Sequence, residues 1–344
     1  MTFTAAELRA RIDTVPRVRL LDGPTPLESW DRVARAWHPG ARLLAKRDDL
    51  AGPGLGGNKS RQLEFILGRA LAERCDVVVH GGALQSNYCR LLAAACARLG
   101  LECRLVLSTH YDQPSDTGSH LLTRLFGAHI ETTTLPLGAD HEALKAQRTD
   151  ELRAAGRRPY LITYPHSEVL GSLGYVAATL ELQTQLHHLD RRPDVIVTAA
   201  VGASYAGLVL GLRLLGDPTP VVGITPLASE YDITFGVRAA ITAAAAELDV
   251  DEPDTDVDIR FDHVGPGYAI PSNEGTVALV DVARYEGVLL DPVYSAKAAA
   301  GVRTVLAEGQ TTLFLHTGGV AALFAYSSHL SSWLDHHRTF EGHS

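Results

Sequence analysis

The chain has 344 residues, of which 46% are hydrophobic and 21% charged, and its formal net charge is −9. This composition is typical of a globular α/β protein, excludes a disordered chain, and at this length favours two lobes with a ligand cleft between them. Because no run of lysine and arginine offsets the negative charge, nucleic acid is not expected as a partner. The N-terminus does not resemble a signal peptide and no apolar run reaches about 18 residues, so we expect a cytoplasmic protein without a membrane partner.

Strand, loop and helix patterns alternate along the chain. In chain order, the predicted elements are a helix over 63–71, a strand over 76–80, a turn at Gly81-Gly82, a helix over 86–99 closed by Gly100, a strand over 102–107, a strand over 194–199, a loop over 200–205, a helix over 206–215, a strand over 221–225, a strand over 312–316, a loop over 317–319 and a helix over 320–326. This alternation predicts parallel sheets covered by helices, with ligands bound by the loops that follow the strand ends. The acidic segment 249–258 is predicted to be an exposed loop, and the tail 335–344 to fray.

The four cysteines and the fifteen histidines do not suggest a metal site. Cys75, Cys89, Cys96 and Cys103 lack CxxC spacing and lie in apolar segments, so buried free thiols are favoured over a disulfide or a metal. The histidine pairs have no third ligand at a recognisable spacing, and no metal is predicted.

One lysine lies between a glycine run and the first predicted helix, in Gly56-Gly57-Asn58-Lys59-Ser60-Arg61. An amine at a helix start faces the positive end of the helix dipole, which favours its neutral, nucleophilic form, and the nearby cation Arg61 is expected to act in the same direction. Such an amine can form a Schiff base. The alternative is an ordinary surface charge.

Three further segments are candidates for a binding site. The loop Val201-Gly202-Ala203-Ser204-Tyr205 has small residues whose N–H groups can enclose a phosphate, although small residues also suit simple packing, and it matches neither dinucleotide nor triphosphate motifs. Gln85-Ser86-Asn87 begins a helix, where it can cap the helix or hold a carboxylate. Tyr268 and Tyr294 lie in loops, where tyrosines often serve only for packing.

Together and in this order, these segments resemble the D-cysteine desulfhydrase and 1-aminocyclopropane-1-carboxylate deaminase family of pyridoxal-phosphate enzymes. The matching stretches are Lys46-Arg47-Asp48-Asp49-Leu50, Gly56-Gly57-Asn58-Lys59, Gln85-Ser86-Asn87, Leu125-Phe126-Gly127-Ala128, Gly171-Ser172-Leu173-Gly174-Tyr175, Gly265-Pro266-Gly267-Tyr268, Asp291-Pro292-Val293-Tyr294 and His316-Thr317-Gly318-Gly319. The resemblance implies the tryptophan-synthase-β fold (fold type II), an α/β fold with two open, twisted, mostly parallel sheets and the cofactor in the cleft between two domains. Residues 1–58 and 171–344 would form the large domain, and residues 59–170 the small one.

The resemblance also implies the cofactor, pyridoxal 5′-phosphate, and a role for each candidate residue. Lys59 would form the Schiff base and then act as the base, and Asn87 would contact the phenolic oxygen. Gly202, Ala203, Ser204 and Tyr205 would hold the phosphate, and Thr317 would lie at the pyridine nitrogen. Ser86, with Gln85 and Asn87, would bind the substrate carboxylate, and Tyr268 and Tyr294 would lie over the reacting face, all of them in an enzyme that is usually a homodimer.

Four departures from the family pattern bear on the activity. Gln62 replaces a lysine of the phosphate site, Pro165-His166-Ser167 replaces Gly-Gly-Ser, Tyr205 replaces histidine or glutamine, and Ser295 replaces the glutamate of ring-opening deaminases. Ser295 favours β-elimination, so the expected activity is a lyase that converts a small β-substituted amino acid such as D-cysteine to pyruvate, ammonia and the leaving group (sulfide). The alternatives are 1-aminocyclopropane-1-carboxylate deamination, a biosynthetic reaction on another amino acid, and a pyridoxal-phosphate-binding protein without turnover.

Overall fold

A computed structural model describes residues 2–111, 116–200, 202–227 and 233–337, with the exception of the side chains of Pro165 and His166. Within these ranges the strands are β1 (Leu27–Ser29), β2 (Arg42–Lys46), β3 (Val77–Ala83), β4 (Glu102–Ser108), β5 (His129–Thr133), β6 (Pro159–Leu161), β7 (Val195–Ala199), β8 (Val221–Ile224), β9 (Asp258–Arg260) and β10 (Thr311–Leu315). The helices are α1 (Ala5–Ile12), α2 (Asp31–Trp37), α3 (Lys59–Ala72), α4 (Asn87–Leu99), α5 (Gly118–Leu125), α6 (Ala139–Ala154), α7 (Tyr164–His188), α8 (Ala203–Leu214), α9 (Ile233–Glu247), α10 (Asn273–Glu286), α11 (Ser295–Val305) and α12 (Ser327–His336), with short 3₁₀ helices at Asp48–Leu50 and Val320–Tyr326.

The strands form two sheets. One has the order β1-β2-β10-β7-β8-β9, in which only β1 is antiparallel to its neighbour. The other has the order β5-β4-β3-β6 and is parallel throughout. Parallel sheets covered by helices are what the alternating pattern predicts, and the prediction is confirmed.

The apolar core lies between the sheets and their helices. Its larger cluster joins buried side chains of α3, α4, α7 and α8, such as Phe65, Leu91, Leu173 and Val209. A second cluster packs α2, α10 and α11 on the six-stranded sheet around Trp30. Three of the four cysteines are buried as predicted, Cys75 is half-buried, and all four are free. None of the helices formed by the described residues is long and apolar enough to span a membrane.

The predicted turn at Gly81-Gly82 is wrong, because β3 runs through both glycines to Ala83. Gly81 and Gly82 pair with Val106 and Leu107 of β4. A Cβ at Gly81 would lie 2.5 Å from the carbonyl oxygen of Val106. These glycines therefore permit close packing within a strand, a role that glycine punctuation in the sequence does not distinguish from a turn.

Two other predicted elements are shifted or altered. Helix α8 begins at Ala203, three residues before the predicted start. The segment 320–326 is a 3₁₀ helix, in which the Ala322 N–H donates to the Gly319 oxygen three residues earlier at 2.9 Å. Residues 250–257 form the predicted loop, whereas most of the predicted fraying tail lies outside the described residues.

Candidate active site

Three strands end at segments that carry predicted site residues. Strands β7 and β10 of the six-stranded sheet lead to Gly202 and Thr317, and β3 of the four-stranded sheet leads to Ser86. The segment before α3 joins two of these ends, because the Asn58 N–H donates to the Thr317 oxygen at 2.9 Å and its side-chain amide donates to Ser204 Oγ at 2.8 Å. The start of α3 therefore lies at the carboxyl edge of the larger sheet, where parallel sheets bind ligands.

Glycine is required two positions before Lys59. Gly57 has φ of 139°, and a Cβ there would lie 3.0 Å from Leu91 Cδ1 and 3.3 Å from the amide nitrogen of Asn87. The absence of a side chain at Gly57 brings helices α3 and α4 together. Lys59 and Asn87, which are 28 positions apart in sequence, consequently begin neighbouring helices at one site.

Lys59 is a half-buried amine without a hydrogen bond or an ion pair to any other described residue. Its Nζ lies 5.8 Å from the centroid of the Tyr88 ring. Burial lowers the pKa of Lys59, and the carboxyl group of Glu168 opposes that shift. A lysine in this setting has a larger neutral fraction at a given pH, which is the form that attacks a carbonyl group.

The prediction that Arg61 also lowers the pKa of Lys59 is wrong, because the charge of Arg61 is neutralised. Its guanidinium donates to Asp48 twice at 2.8 Å and to Glu181 at 2.9 Å. Lys46 also pairs with Glu181, and all four groups are buried or nearly so. Burial would raise the pKa of Asp48, but Arg61 and Lys46 outweigh it and lower that pKa to about 2. This group, the Asp48–Arg61 network, fixes α3 to the six-stranded sheet and to α7.

The predicted phosphate loop lies at the N-terminus of α8, although Val201 is outside the described residues. The carboxyl group of Glu168 lies at this loop, because a Cβ at Gly202 would lie 1.9 Å from Glu168 Oε2, and the Ala203 backbone lowers the pKa of that carboxyl group. Ser204 Oγ accepts from the side-chain amide of Gln62 at 2.9 Å, in addition to that of Asn58. A helix start that lies against a carboxyl group is suited to bind an anion such as phosphate.

Tyr205 is turned away from the loop. Its ring is fully buried, and its hydroxyl donates to the Val221 oxygen at 2.9 Å and accepts from the Asp258 N–H at 3.0 Å. Only the backbone of Tyr205 borders the loop, and its N–H donates to the Gly202 oxygen at 3.1 Å. The side chain therefore supports the end of the sheet.

At the start of α4 the polar groups are mostly engaged. Ser86 caps the helix by accepting from the Cys89 N–H at 3.2 Å. The oxygen of the Asn87 amide accepts from Arg90, and Gln85 Oε1 accepts from the Ser119 N–H at 2.9 Å. Capping is thus present, and it leaves the Ser86 hydroxyl proton available as a donor.

Tyr268 and Tyr294, to which the family resemblance assigns a common role, lie next to each other. Their hydroxyl oxygens are 2.7 Å apart, and burial together with Tyr268 raises the pKa of Tyr294. The turn that carries Tyr294 packs on the glycines after Thr317, because a Cβ at Gly319 would lie 2.8 Å from Asp291 Cγ. The tyrosine pair and Thr317 are therefore connected through adjacent segments.

Ser295 is engaged in the turn that precedes its own helix. It is fully buried, its Oγ accepts from the Asp291 N–H at 2.7 Å, and its own N–H donates to Asp291 Oδ1 at 3.1 Å. The hydroxyl thus closes the turn that begins α11. No carboxyl group is present at this position.

The structure also places three residues at the site to which the sequence analysis gave no role. Tyr88 and His80 are in ring contact at 4.5 Å, and burial lowers the pKa of His80 to about 3. Glu168 lies in the first turns of α7, and burial raises its pKa to about 7 against the effect of Lys59. In the sequence, Glu168 is distinguished only by its position directly after the unusual segment Pro165-His166-Ser167.

Parallel sheets whose strand ends converge on a half-buried amine and on a helix start suited to an anion are the architecture of an α/β enzyme that uses a cofactor. Residues 18–318 match the family described as pyridoxal-phosphate dependent enzyme, and the chain belongs to that family. It is 37% identical over 328 residues to a D-cysteine desulfhydrase of Klebsiella pneumoniae (strain 342), covering 92% of this chain and 97% of the relative. A D-cysteine desulfhydrase of Salmonella paratyphi A is 36% identical over 324 residues, with the same coverage.

Solved structures agree with this membership. The crystal structure of an ACC deaminase homologue superposes with a TM-score of 0.88 at 33% identity, covering 95% of this chain and 98% of the other. The crystal structure of a T.th. threonine deaminase superposes with a TM-score of 0.65 at 20% identity, covering 92% of this chain and 98% of the other, and shows the same fold. The recognition of the family, of its fold and of its cofactor from the motifs is therefore confirmed.

The residues present fit pyridoxal phosphate. The start of α8 has a glycine at Gly202 and the carboxyl group of Glu168 against it, so it has room and backbone N–H groups for an anionic group. Lys59 supplies an amine that no described residue neutralises by a direct contact, and Ser204, between Asn58 and Gln62, supplies a hydroxyl at the same loop. The amine can therefore react with the aldehyde of the cofactor, and the start of α8 can hold its phosphate.

Proposed function

We propose that the chain is a pyridoxal-phosphate-dependent lyase that eliminates the β substituent of a small amino acid such as D-cysteine, giving pyruvate, ammonia and the leaving group (sulfide). The observation that carries the proposal is the isolated amine of Lys59, whose pKa is lowered by burial beside an anion-binding helix start. Identity of 36–37% to D-cysteine desulfhydrases supports the substrate class. When bound, the cofactor supplies an electron sink for the bond that breaks at the α carbon.

In this proposal Lys59 is the point of cofactor attachment and then the base that takes the α proton. A neutral amine is needed for both tasks, and burial favours it. The cofactor ring would lie between Asn87, at its phenolic oxygen, and Thr317, at its nitrogen. The phosphate would lie at Gly202, Ala203, Ser204 and the backbone of Tyr205.

The tyrosine pair is the proposed proton source for the leaving group. Because burial raises the pKa of Tyr294, its hydroxyl stays protonated at neutral pH and can donate. Tyr268, 2.7 Å away, can then replace that proton. Ser86, with Gln85 and Asn87, is the proposed holder of the substrate carboxylate at the start of α4.

Ring opening of 1-aminocyclopropane-1-carboxylate is the second candidate, since the ACC deaminase homologue superposes with a TM-score of 0.88. Ser295 disfavours it, because its hydroxyl is committed to the Asp291 turn and no carboxyl group takes its place. We therefore expect β-elimination to exceed ring opening.

A substrate panel tests the proposal. The cofactor-loaded protein is given D-cysteine, L-cysteine, β-chloroalanine and 1-aminocyclopropane-1-carboxylate, and pyruvate and 2-oxobutanoate are measured. We expect pyruvate from D-cysteine and β-chloroalanine and little 2-oxobutanoate. Lys59→Ala should lower the rate by at least about 10²–10⁴-fold and abolish the visible absorbance of the bound cofactor, whereas Arg192→Ala, at an exposed cation, should change neither. The proposal fails if no β-substituted alanine is turned over.

We further propose a homodimer and the division of the chain into residues 1–58 with 171–344 and residues 59–170. In support of the division, β3 to β6 lie within 59–170 and all strands of the six-stranded sheet lie outside it. For the dimer, the support is the family resemblance. Sedimentation would show twice the chain mass of 36.9 kDa if the proposal is right.

A further inference from the structure

Glu168 lies against the loop that begins α8. The missing side chain of Gly202 makes room for its carboxyl group, since a Cβ there would lie 1.9 Å from Oε2. This Oε2 is buried without a hydrogen-bond partner among the described residues. A buried, unpartnered carboxyl oxygen is costly unless it carries a proton or meets a ligand.

The charges around this loop make an ionised Glu168 unfavourable beside a phosphate. From α3, Gln62 presents only a neutral amide to Ser204. Two groups outside α7 interact electrostatically with Glu168, namely Lys59, also in α3, and the phenol of Tyr88 in α4. Lys59 makes no ion pair with Glu168, and Tyr88, whose pKa is raised by burial, stays neutral.

We propose that Glu168 binds the cofactor phosphate as a neutral acid, donating its proton from Oε2 to a phosphate oxygen, so that cofactor loading takes up one proton. The inference rests on the proposed position of the phosphate at the start of α8. It makes Glu168 a positioning residue of the phosphate site. The carboxyl pKa of about 7, raised by burial, is consistent with this role, because the proton is then available near neutral pH.

The test uses pyridoxine 5′-phosphate, which carries the phosphate but no aldehyde and so cannot bond to Lys59. Its dissociation constant is measured by fluorescence on the full chain freed of cofactor, from pH 6 to pH 9, for the wild type, Glu168→Gln and Glu168→Ala. Glu168→Gln keeps a donor but cannot ionise. Glu252→Gln, at an exposed glutamate, is the matched control.

We expect the wild type and Glu168→Gln to bind the probe alike at pH 6. Above pH 7 the dissociation constant of the wild type, divided by that of Glu168→Gln, should grow about tenfold for each pH unit, because the wild type must take up one proton to bind. Glu168→Ala should bind about tenfold more weakly than Glu168→Gln at every pH, because the donor is lost. The control should follow the wild type.

Two results would overturn the inference. A ratio of wild type to Glu168→Gln that does not change with pH would show that ionisation of Glu168 is not linked to binding. Binding by Glu168→Ala as tight as that of Glu168→Gln, or tighter, would show that the carboxylate only competes with the phosphate. Because no turnover is measured, failure of the proposed β-elimination would leave both readouts unaffected.

Discussion

Single residues at this site are tuned mainly by burial. Lys59, Glu168 and Tyr294 are each shifted toward their neutral form, because a low-polarity environment disfavours charge whichever sign it has. An amine that is more often neutral can accept a proton, and a phenol that stays neutral can donate one. The same physical cause therefore yields a base and an acid within one site.

Replacing one hydroxyl of the tyrosine pair tests this assignment. We expect Tyr294→Phe to lower kcat for D-cysteine by about 10²-fold, because the leaving group loses its proton donor, with a small change in KM. For β-chloroalanine, whose chloride needs no proton, the loss should be much smaller. Steady-state kinetics with both substrates measures the difference.

Tyr285→Phe is the matched control for that experiment, because Tyr285 lies in α10, where its ring faces the Arg32 guanidinium. Equal losses on both substrates in Tyr294→Phe would mean that the hydroxyl does not protonate the leaving group.

The sequence and its family resemblance predict Lys59, Asn87, Ser204 and Thr317 as site residues, but they do not give the direction in which side chains point. Tyr205 follows the phosphate loop in sequence, yet its ring enters the sheet at Gly223, where a Cβ would lie 2.8 Å from the ring. Glu168 reaches Ala203 through a fold contact across 35 positions. Neither relation has a local pattern, because each depends on how α7 and α8 pack against each other.

At the scale of elements, the position of α3 depends on the Asp48–Arg61 network. The alternation of strands and helices was sufficient to predict parallel sheets, whereas the network was not predicted. Its members come from β2, the following 3₁₀ turn, α3 and α7, and charged residues in sequence are ordinarily assigned to the surface.

Asp48→Asn should destabilise the protein by about 3–5 kcal/mol at pH 7, because it leaves the charge of the buried Arg61 only partly paired. Urea unfolding measures the change in the free energy of unfolding. Asp251→Asn, in the exposed acidic loop, should have little effect. A loss below about 1 kcal/mol for Asp48→Asn would contradict a structural role of this network.

The same network sets a pH dependence. The pKa of Asp48 is about 2 in the folded state, against an ordinary value of 3.8. A carboxyl group with a lowered folded pKa stabilises the fold above its unfolded pKa and loses that contribution as the pH falls. Wild-type stability should therefore decline from about pH 4 toward pH 2, and Asp48→Asn should lack that part of the decline.

At the scale of the whole molecule, the proposed cofactor contacts segments that belong to both sheets. The edge of the larger sheet carries Lys59, Ser204 and Thr317. In the smaller sheet, Asn87 lies four positions after the end of β3. A ligand held by both should stabilise them together. At a free cofactor concentration of 100 times its dissociation constant, the free energy of unfolding should rise by about 2.7 kcal/mol.

Thermal unfolding with added pyridoxal phosphate should therefore show a higher Tm in a single transition. Pyridoxal, which lacks the phosphate, should raise Tm less, since the start of α8 then has no ligand. An equal effect of the two compounds would contradict a phosphate site at Gly202–Ser204.

The contact of Tyr205 with Asp258 bears on protein engineering. Residues 251–254 at the tip of the acidic loop are largely exposed and outside any helix or strand, which is where inserted peptides are best tolerated. The tolerant span ends before Asp258, because the backbone of that residue holds the hydroxyl of Tyr205 and, through it, the first turn of α8. We therefore expect a tag placed at 251–254 to leave cofactor loading intact, and one placed a few residues later to disturb the proposed phosphate loop.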